Sequence, residues 1–142
     1  DSCIKREEFL KMLLLAFNIE IGDYKNDFND VDKTAWYRLY VSSARYNKII
    51  LGDEDGSFGA GRDITRQDMA VMVCRLKKLS AGRRTGSVFD DDEQIADYAK
   101  DAVYSMRAKG FLTGKGENRF APQDSTTRAE AAMLLYRISN GK

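Results

Sequence analysis

The chain has 142 residues and a formal net charge of +1, with 23 Lys and Arg against 22 Asp and Glu. This balance argues against capture of nucleic acid or an anionic membrane by a basic face, and no apolar run is long enough for membrane insertion. Histidine is absent, which disfavours acid–base catalysis and common metal sites, so we expect no enzyme, no metal ligands and no cofactor.

The spacing of apolar residues predicts five helices, at about 5–19, 34–47, 65–79, 96–109 and 127–139. The first, third and fifth, here called the phrase helices, open on versions of one short phrase. Its copies are Ile4-Lys5-Arg6-Glu7-Glu8, Ile64-Thr65-Arg66-Gln67-Asp68 and Thr126-Thr127-Arg128-Ala129-Glu130. They lie about 60 residues apart, and such a period indicates a repeat architecture.

The first predicted helix belongs to an incomplete repeat. Residues 1–20 hold only the C-terminal half of a unit, so either the sequence begins within a repeat or the missing half lies upstream in a longer parent. Full repeats are predicted at 28–79 and 89–139, with a flexible linker at 80–88 between them. We expect these parts to form one domain over residues 1–142.

The phrase helices differ in how they begin. Thr65 with Asp68, and Thr127 with Glu130, fit a capping box, in which a hydroxyl and an acid three residues later satisfy free backbone amides. Lys5 stands in the place of the capping residue in the first copy. We therefore expect the first helix to start less firmly than the others.

The apolar pattern separates the helices into two kinds. The phrase helices are apolar on nearly every side, and a helix of this kind has to be buried on every side. The helices at 34–47 and 96–109 are amphipathic, with apolar stripes that begin at Trp36 and Tyr98. We predict an all-α, mainly helical fold in which the phrase helices form a central three-helix bundle and the amphipathic helices cover it.

Two glycine-rich segments connect the amphipathic helices to the phrase helices. They run from Gly52 to Phe58 and from Gly114 to Phe120. Gly, Asp and Asn favour turns, so both segments are predicted to be loops, each anchored in the core by its single Phe.

Arg6, Arg66 and Arg128 are the sharpest functional candidates. A cation in the first turn of a helix is disfavoured by the helix dipole, yet the phrase places one there three times. One interpretation is structural: each Arg pairs with an acid elsewhere, such as Asp30 or Asp91. The other is anion binding, since free amides at a helix start and a guanidinium together suit a carboxylate or phosphate. Both interpretations stay open.

Three further features, an aromatic pair, an acidic run and the cysteines, carry predictions of their own. Trp36 and Tyr98 occupy equivalent positions, where they would either pack in the core or form a stacking wall for a sugar ring. The acidic run from Asp90 to Glu93 is predicted to be a solvated helix entry. Cys74 lies in an apolar run and is predicted to be a small buried side chain, although a disulfide between Cys3 and Cys74 stays open.

In their order and spacing, these residues resemble the S-layer homology family. Its pattern is Phe-x-Asp, Trp-Ala before a helix, Gly, Gly-x-Phe, and Ile-Thr-Arg-Ala-Glu opening a second helix. The second repeat supplies Phe28, Asp30, Trp36, Gly52, Phe58 and Ile64-Thr65-Arg66. The third supplies Phe89, Asp91, Tyr98, Gly114, Phe120 and Thr127-Arg128-Ala129-Glu130, and the half repeat supplies Ile4, Arg6 and Glu8.

The resemblance implies a pseudo-threefold domain and a function. The domain would anchor non-covalently to secondary cell-wall polysaccharide, often carrying a ketal-linked pyruvate, in grooves between adjacent repeats. By similarity, Arg6, Arg66 and Arg128 would meet the pyruvate carboxylate. The groove walls would be Trp36, Tyr98, Gly52 and Gly114, and Asp30 and Asp91 complete the candidate set.

The resemblance also implies a location and partners. The protein would be secreted and held at the cell wall or surface layer of a bacterium, with the polysaccharide and other surface-layer proteins as partners and no nucleic acid. Tyr98 in place of the family's Trp, and the missing half of the first repeat, imply that the grooves are unequal.

Two other functions compete with glycan anchoring. The same fold could be a structural or protein-interaction module in surface-layer assembly, without glycan binding. An enzyme is the weakest alternative, because no repeated pair of acids is placed convincingly for catalysis.

Overall fold

The computed structural model describes residues 2–80 and 89–140. Its helices are α1 (Arg6–Ala16), α2 (Arg38–Tyr46), α3 (Arg66–Lys77), α4 (Asp97–Ala108) and α5 (Arg128–Asn140), with a short 3-10 helix at Asp92–Gln94. The described ranges contain no β-sheet, so the predicted helical class is confirmed. Each predicted helix is present, with its ends within four residues of the predicted boundaries. Of the predicted linker 80–88, only the first residue lies within the described part.

The starts of the phrase helices are stabilised in two ways. The hydroxyl of Thr65 accepts a hydrogen bond from the Asp68 amide at 3.2 Å, and that of Thr127 accepts one from the Glu130 amide at 3.1 Å. Lys5 makes no side-chain cap, and its ammonium pairs with Asp63 instead. The two threonine contacts satisfy amides that a helix start otherwise leaves unpaired, whereas the Lys5 ion pair does not.

A closed ring of backbone hydrogen bonds joins the residues that precede α1, α3 and α5. The amide of Ile4 donates to the carbonyl of Thr126 at 2.8 Å, that of Thr126 to Ile64 at 3.0 Å, and that of Ile64 to Ile4 at 3.0 Å. All three residues are fully buried. The ring therefore brings three distant chain segments together around one axis, in a pseudo-threefold arrangement.

Two of the phrase helices, α1 and α3, each pack with the amphipathic helix of the following repeat. Helix α2 lies on α1, α4 lies on α3, and α1 also contacts α5. The core includes Phe9, Leu10 and Leu13 on α1 and Val103 and Met106 on α4, all fully buried. The amphipathic helices therefore cover α1 and α3, as predicted, but not α5.

The prediction that every side of each phrase helix is buried was wrong for α1 and α5. Leu15, Met133 and Tyr136 are among the exposed large hydrophobic side chains. Val71 on α3 is 7% exposed, whereas Met133, at the equivalent place on α5, is 52% exposed. The difference arises because α4 covers this face of α3, while no helix within the described residues covers that face of α5 in the same way.

The anchoring Phe residues lie where they were predicted. Phe58 and Phe120 are fully buried, and their rings pack against Phe28 and Phe89, with ring centroids 6.1 and 5.3 Å apart respectively. Each glycine-rich loop is thereby fixed to the Phe-x-Asp segment of its own repeat. The cysteines are both free, with Cys3 exposed and Cys74 partly buried.

Candidate functional site

The repeated Arg residues form a cyclic set of ion pairs between neighbouring phrase helices. Arg6 on α1 pairs with Asp68 on α3 at 2.7 Å, and Arg66 on α3 faces Glu130 on α5 at 3.9 Å. Arg128 on α5 pairs with Glu8 on α1 and closes the cycle. The acid is in each case the third residue of the next phrase helix, where it also favours the positive end of the helix dipole.

Two of these guanidinium groups are buried between the repeats. The Nε of Arg6 donates to the carbonyl of Phe58 at 3.0 Å, and that of Arg66 donates to Phe120 at 2.8 Å. Each guanidinium also lies over the ring of that Phe, at 5.1 and 5.0 Å from the centroid. Their side chains are 10% and 9% exposed, whereas that of Arg128 is 49% exposed. Burial lowers the pKa of Arg66, opposed chiefly by Glu130.

The acids proposed from the sequence as partners of the Arg residues have another role. The carboxylate of Asp30 accepts hydrogen bonds from the backbone amides of residues 58, 59 and 60, at 2.8 to 2.9 Å. Asp91 accepts two in the third repeat, from residues 120 and 121, both at 2.8 Å. The predicted pairing of either Asp with a phrase-helix Arg was therefore wrong, because each carboxylate is occupied by the glycine-rich loop of its own repeat.

Burial and hydrogen bonding act in opposite directions on these two carboxyl groups. Burial alone would raise the pKa of Asp91, but the hydrogen bonds from Phe120 and Ala121 outweigh it and hold the pKa below its ordinary value. The same balance lowers the pKa of Asp30. Because Asp91 is 4% exposed, the prediction of a solvated acidic run was wrong at this position.

The Arg residues open onto surface grooves, of which groove A is the more complete. It has a volume of about 430 Å³. Its lining combines the start of α1, the loop of the second repeat, the side of α3 and the start of α4: Arg6, Ile50, Leu51, Gly52, Asp53, Glu54, Asp68, Val71, Met72, Arg75 and Tyr98. The Arg, the Gly-rich loop and the aromatic wall predicted for one groove thus meet here.

Groove B is the equivalent site one repeat further along the chain. It has a volume of about 370 Å³. Its lining residues are Arg66, Met69, Phe111, Leu112, Thr113, Gly114, Lys115, Ala129, Glu130, Met133, Leu134 and Arg137. It shares with groove A the buried Arg and the Gly-rich loop, but no aromatic side chain stands where Tyr98 lines groove A.

The third position of the cycle has the aromatic wall without the loop. Trp36 lies near α1, where the ammonium of Lys11 is 5.6 Å from its ring centroid. Arg128 and Glu8 form the ion pair at the start of these helices. No glycine-rich loop lies at this position among the described residues. Within the described residues, only groove A therefore combines all three parts.

Trp36 and Tyr98 are surface residues, so the core-packing interpretation was wrong for both. They are 55% and 59% exposed. The Tyr98 hydroxyl donates to Asp68 Oδ1 at 2.5 Å, and the other oxygen of Asp68 binds Arg6. Burial and then this hydrogen bond raise the pKa of Tyr98. The ring is therefore fixed through its hydroxyl at the edge of groove A and is more than half exposed.

The two glycines predicted as groove walls are required by close packing. At Gly52 φ is +89°, and a Cβ would lie 2.3 Å from Cε1 of Phe28. At Gly114 a Cβ would lie 2.8 Å from the carbonyl oxygen of Arg119. Both line their grooves, so the loop backbone can approach a ligand closely at these points.

Sequence reasoning missed the acids of the ion-pair cycle. Asp68 and Glu130 were assigned to capping boxes, and Glu8 was named only as part of the family pattern. A usable signal was present, because every copy of the phrase has an acid two residues after its Arg. That spacing is too short for a pair within one helix and so points to a partner on a neighbouring helix.

The part of the chain that the structure describes contains neither a metal-binding cluster of side chains nor a helix that could span a membrane. Across residues 2–80 and 89–140, no group of three or more Cys, Asp or Glu side chains is arranged to hold a metal ion. The longest of the described helices, α5, has 13 residues, and none is long and apolar enough to cross a membrane.

Comparison with protein families gives a match over much of the chain. The model described as "S-layer homology domain" matches residues 27–70 and 88–132. These segments contain both glycine-rich loops and the starts of α3 and α5, whereas Arg6 of groove A lies before the first of them. They also begin close to the two full repeats predicted from the internal pattern.

Individual relatives are longer than this chain. An amylopullulanase of Thermoanaerobacterium thermosulfurigenes is 33% identical over 96% of the chain and 8% of its own length. Exoglucanase XynX of Acetivibrio thermocellus is 32% identical over 94% of the chain and 12% of its length. A cellulosome-anchoring protein of Acetivibrio thermocellus is 29% identical over 78% of the chain and 25% of its length. The chain thus corresponds to a small part of each.

The names of the enzymes among these relatives do not transfer to this chain. Exoglucanase and amylopullulanase describe whole proteins, of which the matched part is about an eighth or less. The same segment also matches a cellulosome-anchoring protein and the surface-layer 125 kDa protein of Lysinibacillus sphaericus. What these relatives share with the chain is a module of bacterial cell-surface proteins, not a catalytic domain.

Proposed function

This chain belongs to the S-layer homology family of bacterial cell-surface anchoring modules, and we propose that it anchors by binding secondary cell-wall polysaccharide in its grooves. The ligand would be an acidic glycan, with a ketal-linked pyruvate as the group that the Arg residues recognise. Binding would be non-covalent. Surface-layer proteins are a second class of possible partner.

The observation that carries this proposal is a pair of buried guanidinium groups at equivalent places in two grooves. Arg6 and Arg66 are each held by a loop carbonyl and a Phe ring, so little side-chain entropy remains to be lost on binding. A desolvated guanidinium can form a charge-assisted, bidentate interaction with a carboxylate. The acid on the next helix would then share its Arg with the ligand.

The aromatic and glycine positions support a sugar ligand in particular. Tyr98 presents a ring face at the rim of groove A, and a pyranose can place its C–H face on such a ring. Gly52 lines the same groove, where the loop backbone can approach the sugar. Trp36 offers a similar ring at the third position of the cycle. Asp30 and Asp91 would act indirectly, by holding the glycine-rich loops through their backbone amides.

The test is sedimentation of the domain with purified cell walls, before and after mild-acid removal of pyruvate. We expect Arg66→Ala to weaken binding by about tenfold or more, since a charge-assisted hydrogen bond contributes about 1.5–3 kcal/mol. Arg128→Ala is the matched control, because its side chain is half exposed and no described loop closes its groove. Equal binding to walls with and without pyruvate, or no loss for Arg66→Ala and Arg6→Ala, would contradict the carboxylate site.

A second candidate function is protein interaction during surface-layer assembly. The observation in its favour is the exposed apolar face of α5, which includes Met133 and Tyr136. This function predicts self-association that depends on concentration and is indifferent to polysaccharide. Analytical ultracentrifugation with and without cell-wall fragments distinguishes the two candidates, because glycan anchoring requires a complex only when the fragments are present.

A further inference from the structure

Grooves A and B have the same architecture but opposite charge. We propose that groove B is the preferred site for the negatively charged units of the polysaccharide, and that groove A holds them more weakly. This inference rests on the glycan-binding function proposed above. It assigns specificity to a few positions that differ between the two loops, with Lys115 and Asp53 as the main determinants.

The charged linings of the two grooves show the difference. The charged residues that line groove A are Arg6, Arg75, Asp53, Glu54 and Asp68. The charged residues that line groove B are Arg66, Arg137, Lys115 and Glu130. Groove A thus has two cations against three anions, and groove B has three cations against one anion. A ligand carboxylate would therefore be attracted more strongly by the lining of groove B than by that of groove A.

Asp53 and Lys115 occupy equivalent places in their loops. Each follows a groove glycine, and their amides make the same turn hydrogen bond, from Asp53 to the Ser57 carbonyl at 2.8 Å and from Lys115 to the Arg119 carbonyl at 2.7 Å. The charge reversal therefore lies on a common backbone. The next residue adds to it, since Glu54 in groove A is replaced by a glycine in groove B.

The salt-bridge partners of these two residues are reversed as well. Arg62 binds Asp53, and Asp124 binds Lys115 at 3.3 Å. Both partners lie outside the groove linings. Counting them reduces the difference in charge without reversing its sign: groove A becomes neutral and groove B stays positive.

The central Arg is also less neutralised in groove B. Arg6 is bonded to Asp68 at 2.7 Å. Arg66 is equally buried, but Glu130 is 3.9 Å away, and its Oε2 atom is buried without a hydrogen-bond partner among the described residues. A ligand carboxylate would therefore meet a cation already held by an acid in groove A. In groove B it would meet one whose nearest acid is too distant for a hydrogen bond.

The experiment uses a small probe whose charge can be removed without changing its shape. The probe is methyl 4,6-O-(1-carboxyethylidene)-glucopyranoside, and its methyl ester is the neutral control. Amide signals of the ¹⁵N-labelled domain report each groove separately, residues 113–115 for groove B and 51–53 for groove A. We expect the acid to shift the groove B signals at lower concentration than those of groove A, with a salt-dependent affinity. The ester should lose this preference.

Two charge-reversal variants test the assigned residues on matched positions. Lys115→Asp should weaken binding of the acid in groove B by about fivefold at low salt, and Asp53→Lys should strengthen it in groove A by about as much, as expected for a two-unit change roughly 8–10 Å from the ligand. Both side chains are exposed on loops, so the fold should persist. Unchanged amide signals far from the grooves would verify this.

The outcomes separate this inference from the broader function. Equal binding of acid and ester in groove B, preference of the acid for groove A, or affinities unaffected by both reversals would overturn the charge assignment while glycan binding stands. If neither compound shifts either set of signals, both the charge assignment and the carboxylate site in these grooves are wrong.

Discussion

Thr126→Val is expected to stabilise the domain, because it removes a buried hydroxyl that has no partner. Thr126 takes the place of Ile4 and Ile64 in the axial ring, and its Oγ1 is buried without a hydrogen bond in the described structure. An unsatisfied buried polar group costs about 1–3 kcal/mol. Val has nearly the same shape and keeps both backbone hydrogen bonds of the ring. We expect the free energy of unfolding to rise by about 1–2 kcal/mol.

The measurement is urea denaturation followed by circular dichroism, with thermal unfolding beside it. A gain of this size corresponds to a rise in Tm of about 3–7 °C for a chain of this length. The equivalent position Ile64 supplies the matched control. Ile64→Val should cost about 1 kcal/mol for the lost methylene, and Ile64→Thr should cost a further 1–3 kcal/mol for the buried hydroxyl.

The comparison between the two positions decides whether the reasoning is right. The cost of the hydroxyl at Ile64, given by Thr against Val, should match the gain from removing it at Thr126. A midpoint for Thr126→Val at or below that of the unmodified chain would refute the account. So would equal stabilities for Ile64→Thr and Ile64→Val.

Three further outcomes are expected. Gly52→Ala should lower the free energy of unfolding by about 3 kcal/mol, because its Cβ would overlap Phe28. Gly61→Ala is the control: Gly61 has a similar φ but open space around it, so the cost should be only about 1 kcal/mol. Similar urea midpoints for the two variants would contradict the packing argument. The folded pKa of Asp91 lies below its usual 3.8, so the ionised carboxylate stabilises the fold fully well above pH 4, and this stabilisation is lost as pH falls through the folded pKa. Asp91→Asn should therefore be less stable than the unmodified chain at pH 6 and should lose less stability between pH 5 and 2.5. An unchanged dependence of stability on pH would count against this role. Tyr98→Ala should weaken glycan binding in groove A more than Tyr98→Phe, as measured by calorimetry, and equal losses would argue against ring stacking.

The helices could be predicted from the sequence because their signals are local. Apolar spacing, the caps at Thr65 and Thr127 and the glycines of the loops act within a few residues of the chain. The anchoring of Phe58 and Phe120 followed from the same local contrast between an apolar ring and a polar loop. Each of these signals also occurs at equivalent places in both full repeats, which indicates that it belongs to the fold.

The partners of the functional side chains depend on contacts through space and were predicted less well. The acid two residues after each Arg points to a partner on another helix, but it does not identify Asp68, 62 residues later, as the partner of Arg6. Asp30 was a reasonable partner by charge, but three loop amides occupy its carboxylate. The exposure of Met133 likewise depends on which helix covers α5, and an apolar pattern on one helix carries no information about its neighbour.

The closed hydrogen-bond ring at the axis has a consequence for how the domain folds. In open repeat arrays, each unit contacts only the next, so folding can begin anywhere and units can be added or removed singly. Here the amide of Ile4 is bound to the carbonyl of Thr126, so the ring closes only when segments from both ends of the chain have met. Such long-range closure slows folding and makes unfolding cooperative. The ring amides of Ile4, Ile64 and Thr126 should therefore exchange their hydrogens together, at the rate of global unfolding.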